Sequence, residues 1–165
     1  MSYVGRLKLL TVPAAVLALA GCGGSSSSSG NGAKFVSQAN RICADVNRKF
    51  ASLPAINTTA DLLKTGPEEI SATNSALAKL RALTPPSDKK ATADQLISGL
   101  TQETALIQQV VAAIRAGNLK KARSLAAQAS ALNAQDHAKA TSLGLTECTK
   151  NVQPGSANAT STSSG

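Results

Sequence analysis

Three cysteines, one histidine and a few neighbouring carboxylates are the residues whose types could do chemistry in this chain. Asp136 directly precedes His137, and such a pair could act as a weak acid–base couple or sense pH. Adjacent residues on a helix point about 100° apart, so neither this pair nor Glu68 and Glu69 should converge on one site. We therefore expect both pairs to lie on solvated helix faces.

The motifs of common catalytic and cofactor sites do not occur in the sequence. It has no Cys-x-x-Cys-His, no Gly-x-x-x-x-Gly-Lys phosphate loop, no Gly-x-Ser-x-Gly turn and no Cys/His cluster with zinc spacing. We therefore expect no enzymatic activity, no cofactor and no metal ion.

The first 22 residues have the composition of an export signal. Two basic residues precede an apolar run from Leu9 to Ala20, which is too short and too interrupted to span a bilayer. The stretch Leu19-Ala20-Gly21-Cys22 resembles the lipobox of bacterial lipoproteins. The resemblance implies that residues 1–21 are a signal peptide and that Cys22 carries the acyl chains, palmitate among them, that anchor the protein to a membrane surface. An ordinary secretory signal that ends in Gly-Cys is the alternative.

Residues 34–149 show helical periodicity and no strand-like alternation. Apolar residues recur three and four positions apart in four segments, with caps expected at Asn57 or Thr58, at Ser87 and at Asn118. We expect Gly66-Pro67 to kink or restart the second helix, and the chain to leave the helices at Pro54, Gly117 and Gly144. Short connections favour antiparallel neighbours, so the sequence predicts an all-α, up-down-up-down four-helix bundle.

Polar segments flank the predicted bundle on both sides. Residues 22–33 form a Gly/Ser tether with a reach of about 17 to 20 Å beyond the lipidated cysteine. Residues 150–165 are rich in Ser, Thr, Gly and Ala. We predict a flexible N-terminal tether and a disordered C-terminal tail.

Cys43 and Cys148 remain as an even pair in an oxidising location once Cys22 is lipidated. In an up-down bundle, the end of the fourth helix returns beside the start of the first, so a disulfide can join the two cysteines. Closing this loop of about 105 residues would stabilise the fold by at most about 4.7 kcal/mol. A redox-active pair is the alternative, although such centres usually show Cys-x-x-Cys spacing.

Asn40 and Asn47 share a helix face with Cys43, at spacings of three and four residues. We hypothesise that their amides hydrogen-bond the returning backbone at Leu145 and Thr146. Two solvated asparagines are the alternative.

The mature chain is basic. Without Arg6 and Lys8 of the signal peptide, 15 basic residues face nine acidic ones, which is a formal charge of +6. The predicted topology gathers seven cations at the end farthest from the anchor, here called the basic pole: Arg48, Lys49, Lys64, Arg115, Lys120, Lys121 and Arg123. It could attract an anionic polymer, headgroup or protein of the cell envelope, although a solubilising surface is the favoured interpretation. We expect no nucleic-acid partner, because the mature chain has two aromatic residues and no nucleic-acid motif.

Two further stretches suggest a family. Phe35-x-x-x-Ala39-Asn40-x-Ile42-Cys43 and Leu143-Gly144-Leu145-Thr146-Glu147-Cys148 resemble those of small helical lipoproteins of high-GC Gram-positive bacteria, which have no assigned activity. The resemblance covers about residues 34–149 and implies a helical fold bracketed by cysteines. We therefore expect an extracytoplasmic, lipid-anchored, non-catalytic interaction or structural module of the cell envelope. A module that binds a small molecule or lipid between its helices is the alternative, and an enzyme is the least favoured.

Overall fold

A computed structural model describes residues 26–159, with side chains for residues 30–157. It contains four long helices, α1 (Ser26–Ser52), α2 (Thr59–Arg81), α3 (Lys90–Arg115) and α4 (Leu119–Ser142), followed by the short α5 (Ser156–Ala159). The predicted all-α fold with four long helices is confirmed, and residues 26–159 contain no strand. The signal peptide and Cys22 lie outside the described residues.

Helices α2, α3 and α4 pack side by side in chain order, and their contacts have antiparallel register. The contacts are Glu103–Asn133 and Ala113–Ala122 between α3 and α4, and Gly66–Val111 and Arg81–Thr101 between α2 and α3. In each pair of helices, residues later on one helix meet residues earlier on the next. This is the register that an up-down-up-down path requires.

The predicted caps of α2 and α4 are present. Thr58 Oγ1 accepts a hydrogen bond from the Asp61 amide at 3.1 Å, and Asp61 Oδ2 accepts one from the Thr58 amide at 2.9 Å. These two bonds form a capping box. The Thr58 hydroxyl and the Asn57 amide also donate to Asp61 Oδ2, and these hydrogen bonds, led by that of the hydroxyl, hold the pKa of Asp61 below its ordinary value. Asn118 Oδ1 accepts from the Lys121 amide at 3.0 Å, which satisfies one free donor at the start of α4.

Two local predictions about α2 and α3 differ from the structure. The cap predicted at Ser87 is wrong, because the Lys89 amide donates to the Pro86 carbonyl at 3.0 Å and closes a turn over residues 87–89. Helix α3 therefore begins only at Lys90, without a side-chain cap. Helix α2 does not restart at Gly66-Pro67 but continues through Pro67 as one helix.

Helix α4 ends as predicted at Gly144, whose φ is +76°. The Leu145 amide donates to the Ala140 carbonyl at 2.9 Å, and the Gly144 amide donates to the Thr141 carbonyl at 3.0 Å. This pair of bonds is a Schellman motif, which needs the left-handed conformation that glycine adopts at no steric cost. The chain turns there and runs back along α1.

A disulfide joins this returning chain to α1. Cys43 and Cys148 are bonded, with Cα atoms 5.0 Å apart, as predicted from the number and positions of the cysteines. The hypothesis about the neighbouring asparagines is also confirmed, with different backbone partners from those expected. Asn40 Oδ1 accepts from the Glu147 amide at 2.9 Å and its Nδ2 donates to the Gly144 carbonyl at 3.3 Å, while Asn47 Nδ2 donates to the Glu147 carbonyl at 2.8 Å.

Both flanking segments are more ordered than predicted. Helix α1 begins at Ser26 rather than near Lys34, because extending a packed helix adds one hydrogen bond for each residue fixed, and Gly32 lies against Pro86. Residues 150–157, predicted as part of the disordered tail, cross the bundle instead. They are held by Cys148, by half-buried Val152 and Pro154, and by close packing of Gly155 on Ala55. Residues 160–165 lie outside the described range.

The core of the bundle is divided into two clusters. One lies near the disulfide and combines residues from all four long helices and the returning chain: Phe35, Ala39, Leu80, Ala93, Leu96, Ala140, Leu143 and Leu145. The other lies near the α3–α4 turn and contains Val110, Ala113, Ala122 and Leu125. On α3 and α4, the stretch between the two clusters lines a cavity.

Candidate ligand-binding cavity

An interhelical cavity of about 400 Å³ lies between the two core clusters. All four long helices line it, and so do the disulfide and residues 150–154, which we call the strap. Most of the lining surface is apolar, and large aliphatic side chains from α2 and α3 contribute to it: Ile70, Leu77, Leu80, Leu96, Leu100 and Ile107. The volume falls in the range of pockets that bind small organic molecules.

Asp136 is the most deeply buried polar residue of the lining, with 1 % of its surface exposed. Lys139 Nζ donates to Asp136 Oδ1 at 2.7 Å, but Asp136 Oδ2 has no hydrogen-bond partner among the described residues. The carboxylate fits into the space left by Gly99 on α3, where an added methyl group would overlap it. A buried carboxylate oxygen without a partner reduces stability, so it calls for a specific reason.

Two glutamates from other helices share this lining. Burial raises the pKa of Glu69 on α2 above its ordinary value. Burial also raises the pKa of Glu103 on α3; the hydrogen bond from Asn133 opposes that shift, and the charge of Asp136 adds to it. Asn133 Nδ2 donates to Glu103 Oε1 at 3.2 Å and so holds this carboxyl group beside α4. The cavity thus combines an aliphatic lining with three carboxyl groups from three helices.

The structure corrects the expectation that the Asp136–His137 pair is solvated. Asp136 is buried, His137 is half-buried, and both line the cavity. Of the two adjacent glutamates, Glu68 is exposed as expected, whereas Glu69 faces the cavity. Glu68 and Glu69 therefore diverge as expected, whereas Asp136 and His137 both reach one cavity, contrary to expectation. The three carboxyl groups that share the cavity come from different helices.

The strap closes one side of the cavity. Cys148 fixes its start and the contact of Gly155 with Ala55 fixes its end. Lys150 at its start pairs with Glu147 at 2.6 Å, and both Asn151 and Gln153 are exposed. The cavity is therefore bounded there by a short polar segment rather than by a packed helix.

The sequence did contain a signal for this site. Glu103 and Thr104 lie on the apolar stripe of α3 between Leu100 and Ile107, and Asn133 and Asp136 continue the stripe of α4. Polar residues at core-facing positions indicate either a buried network or a ligand site. The convergence of the three carboxyl groups follows from helix register, which the sequence pattern alone does not determine.

All seven cations of the predicted basic pole are exposed. Arg48 pairs with Asp45, and Lys49 Nζ lies 3.8 Å from Glu68 Oε2. Within the described residues, the other five cations have no carboxylate at ion-pair distance: Lys64, Arg115, Lys120, Lys121 and Arg123. This pole is separate from the cavity.

Residues 26–159 contain no group of three or more His, Cys, Asp and Glu placed to hold a metal ion. None of the helices that the structure describes is long and apolar enough to cross a membrane. Compared with protein-family models, curated proteins and solved structures, the chain shows no match.

Proposed function

We propose that this protein is a lipid-anchored, extracytoplasmic binding module that holds a small molecule between its helices. The observation that carries the proposal is the interhelical cavity, in which the buried Asp136 Oδ2 has no partner among residues 26–159. The cavity is partly open and its lining surface is mostly apolar, so a ligand with an apolar body would remove that surface from water.

The lipid anchor is supported by the sequence. The lipobox-like Leu19-Ala20-Gly21-Cys22 would place the protein at a membrane surface outside the cytoplasm. The disulfide between Cys43 and Cys148 is consistent with an oxidising location. In this proposal the protein captures or senses its ligand at the envelope and does not transform it.

Methyl NMR on the full-length protein tests whether the cavity binds a ligand. The probe is a small-molecule extract of the cells that make the protein, and the reporters are the methyl signals of Leu77, Leu100 and Ile107. A bound ligand should shift these signals. Leu106 and Leu132 line a shallow groove on the outside of α3 and α4, and their signals should not move.

A pair of alanine substitutions on α2 supplies the control. Ala76 lines the cavity, so Ala76→Phe should fill part of it and abolish the shifts. Ala78 is exposed, so Ala78→Phe should leave them intact. Shifts confined to Leu106 and Leu132, shifts that persist in a folded Ala76→Phe protein, or no shifts at all would each contradict the proposal.

The exposed basic pole supports a second candidate function, which is contact with an anionic envelope polymer or an acidic protein. Such contact should weaken as ionic strength rises, because exposed charges are screened beyond about 10 Å at 0.1 M salt. Sedimentation with anionic cell-wall polymer at low and high salt would measure it. Equal binding by wild type and a Lys120→Gln/Lys121→Gln variant would remove the basic pole from this role.

A further inference from the structure

The charges around the interhelical cavity do not balance. Glu69, Glu103 and Asp136 line it from α2, α3 and α4. Lys139 pairs with Asp136, and Lys150, the lysine of the strap, is already paired with Glu147. His137 also lines the cavity. When all three carboxyl groups are ionised, two negative charges in this lining have no cation from the protein.

Asp136 supplies a buried carboxylate beside the cavity. Lys139 pairs with its Oδ1, and the carboxylate packs against Gly99, so its Oδ2 has no accessible surface for a ligand donor. Glu103 is held on the same side, because Asn133, one turn before Asp136 on α4, donates to it. A carboxylate oxygen can accept more than one hydrogen bond, so Glu103 keeps capacity for a ligand donor.

The apolar part of the cavity lining indicates the chemistry of the ligand beyond its charged head. Leu77, Leu100 and Ile107 are aliphatic, and they line the same cavity as the carboxyl groups. A purely polar ion, strongly hydrated, would lose its water there without compensation. The ligand therefore combines a charged head with an apolar body of a size suited to about 400 Å³.

We propose that the cavity selects a small organic cation, a protonated amine or guanidinium on an apolar body, with the cationic head bound by Glu103 beside the buried carboxylate of Asp136. This inference rests on the proposed function, because it names the ligand class of the same cavity. The elevated pKa of Glu103 agrees with it, because burial penalises the ionised form until a cation arrives.

Three probes of one shape and different charge test the inference by calorimetry at pH 7 on the full-length protein. They are 4-phenylbutylamine, 4-phenylbutan-1-ol and 4-phenylbutanoate. A charge-assisted hydrogen bond to a buried carboxylate should make the amine bind about tenfold or more tightly than the alcohol. The anionic probe should bind more weakly than the alcohol.

Substitutions locate the preference. Asp136→Asn should reduce the tenfold difference between amine and alcohol, because it removes a charge beside Glu103, whereas Asp94→Asn, which removes an exposed carboxylate elsewhere on α3, should retain it. Glu103→Gln provides a second variant, since its amide oxygen can still accept from Asn133 while its charge is lost. It should reduce the same difference even if Asp136→Asn folds poorly.

The possible failures are distinguishable. Equal or tighter binding of the alcohol, with cavity methyl shifts, would overturn the cation inference and leave the binding function in place. A preference for the amine that survives both Asp136→Asn and Glu103→Gln would also overturn it. Absence of binding by all three probes, together with no methyl shifts from the cell extract, would overturn both proposals.

Discussion

Gly99 and Asp136 face each other across α3 and α4, and each restricts what the other position can hold. Because the carboxylate occupies the space beside Gly99, Gly99→Ala should force the two helices or the carboxylate to shift. We expect a loss of about 1–3 kcal/mol in the free energy of unfolding, the usual cost of overpacking, measured by urea denaturation.

A second glycine on a long helix supplies the control for that substitution. Gly30 in α1 is exposed, and a methyl group there would meet no atom. Gly30→Ala should therefore stabilise the protein by up to about 1 kcal/mol through helix propensity alone. Equal effects of the two substitutions would contradict the close contact between Gly99 and Asp136.

Glu103 should make stability depend on pH in a particular direction. Its pKa is higher in the folded protein than its ordinary value of 4.5, so the folded state binds more protons than the unfolded state at pH values between the two. Its contribution to the free energy of unfolding therefore falls as the pH rises from about 4.5 through the folded pKa. Glu103→Gln removes this loss, so its melting temperature should exceed that of wild type by an amount that grows over this interval.

The exposed glutamate next to Glu69 provides the comparison. Glu68→Gln removes a carboxylate that pairs only with Lys49 across 3.8 Å at the surface, and surface pairs contribute about 0–1 kcal/mol. Melting curves of both variants from pH 4 to pH 8 would separate burial from a general charge effect. Parallel curves for Glu103→Gln and wild type would show that burial of Glu103 does not govern this dependence.

Among the elements, the returning chain after α4 is what joins the end of α4 to α1. Its backbone is bonded to Asn40 and Asn47, and its Cys148 is bonded to Cys43. This connection also fixes the start of the strap, so the disulfide has two effects. It stabilises the bundle and it limits movement of one wall of the cavity.

Removal of the disulfide should abolish both effects, and two different measurements distinguish them. We expect the Cys43→Ala/Cys148→Ala protein to lose about 2–4 kcal/mol in the free energy of unfolding, because the unfolded chain regains the freedom that the closed loop removes. Amide hydrogen exchange in residues 150–153 of the strap should also accelerate relative to α3. Unchanged exchange in the strap would indicate that Gly155 and Ala55 hold it without help from Cys148.

At the scale of the whole molecule, the proposed anchor and the described domain are joined by a short segment. If Cys22 carries the lipid, Cys22→Ala should move the protein from the membrane fraction to the soluble extracytoplasmic fraction, which immunoblotting of cell fractions would measure. An unchanged distribution would remove the lipid anchor from the account. The Cys43–Cys148 disulfide should persist in this variant, because its two cysteines are already partners.

The sequence predicted the helices better than the space between them. Periodicity located four helices. As predicted, the side chains of Thr58 and Asn118 cap the starts of α2 and α4, and Gly144 ends α4 with a positive φ. The sequence pattern placed the start of α3 too early, because it did not show that the Pro86 carbonyl accepts a hydrogen bond from the Lys89 amide. It also predicted disorder for residues 150–157, which are ordered by tertiary contacts. The cavity forms where Glu69, Glu103 and Asp136 come together from three helices. Their alignment depends on the register of those helices, which local sequence pattern does not specify.

Native mass spectrometry of the full-length protein, extracted from the membranes of the cells that make it, shows directly whether the interhelical cavity holds a ligand. We expect a population of protein that carries one additional small mass and loses it on unfolding. This mass should be present in wild type and Ala78→Phe and absent from Ala76→Phe, because only the last variant fills the cavity. A reproducible absence of added mass in wild type, or an equal added mass in all three proteins, would contradict the claim that the interhelical cavity is a binding site.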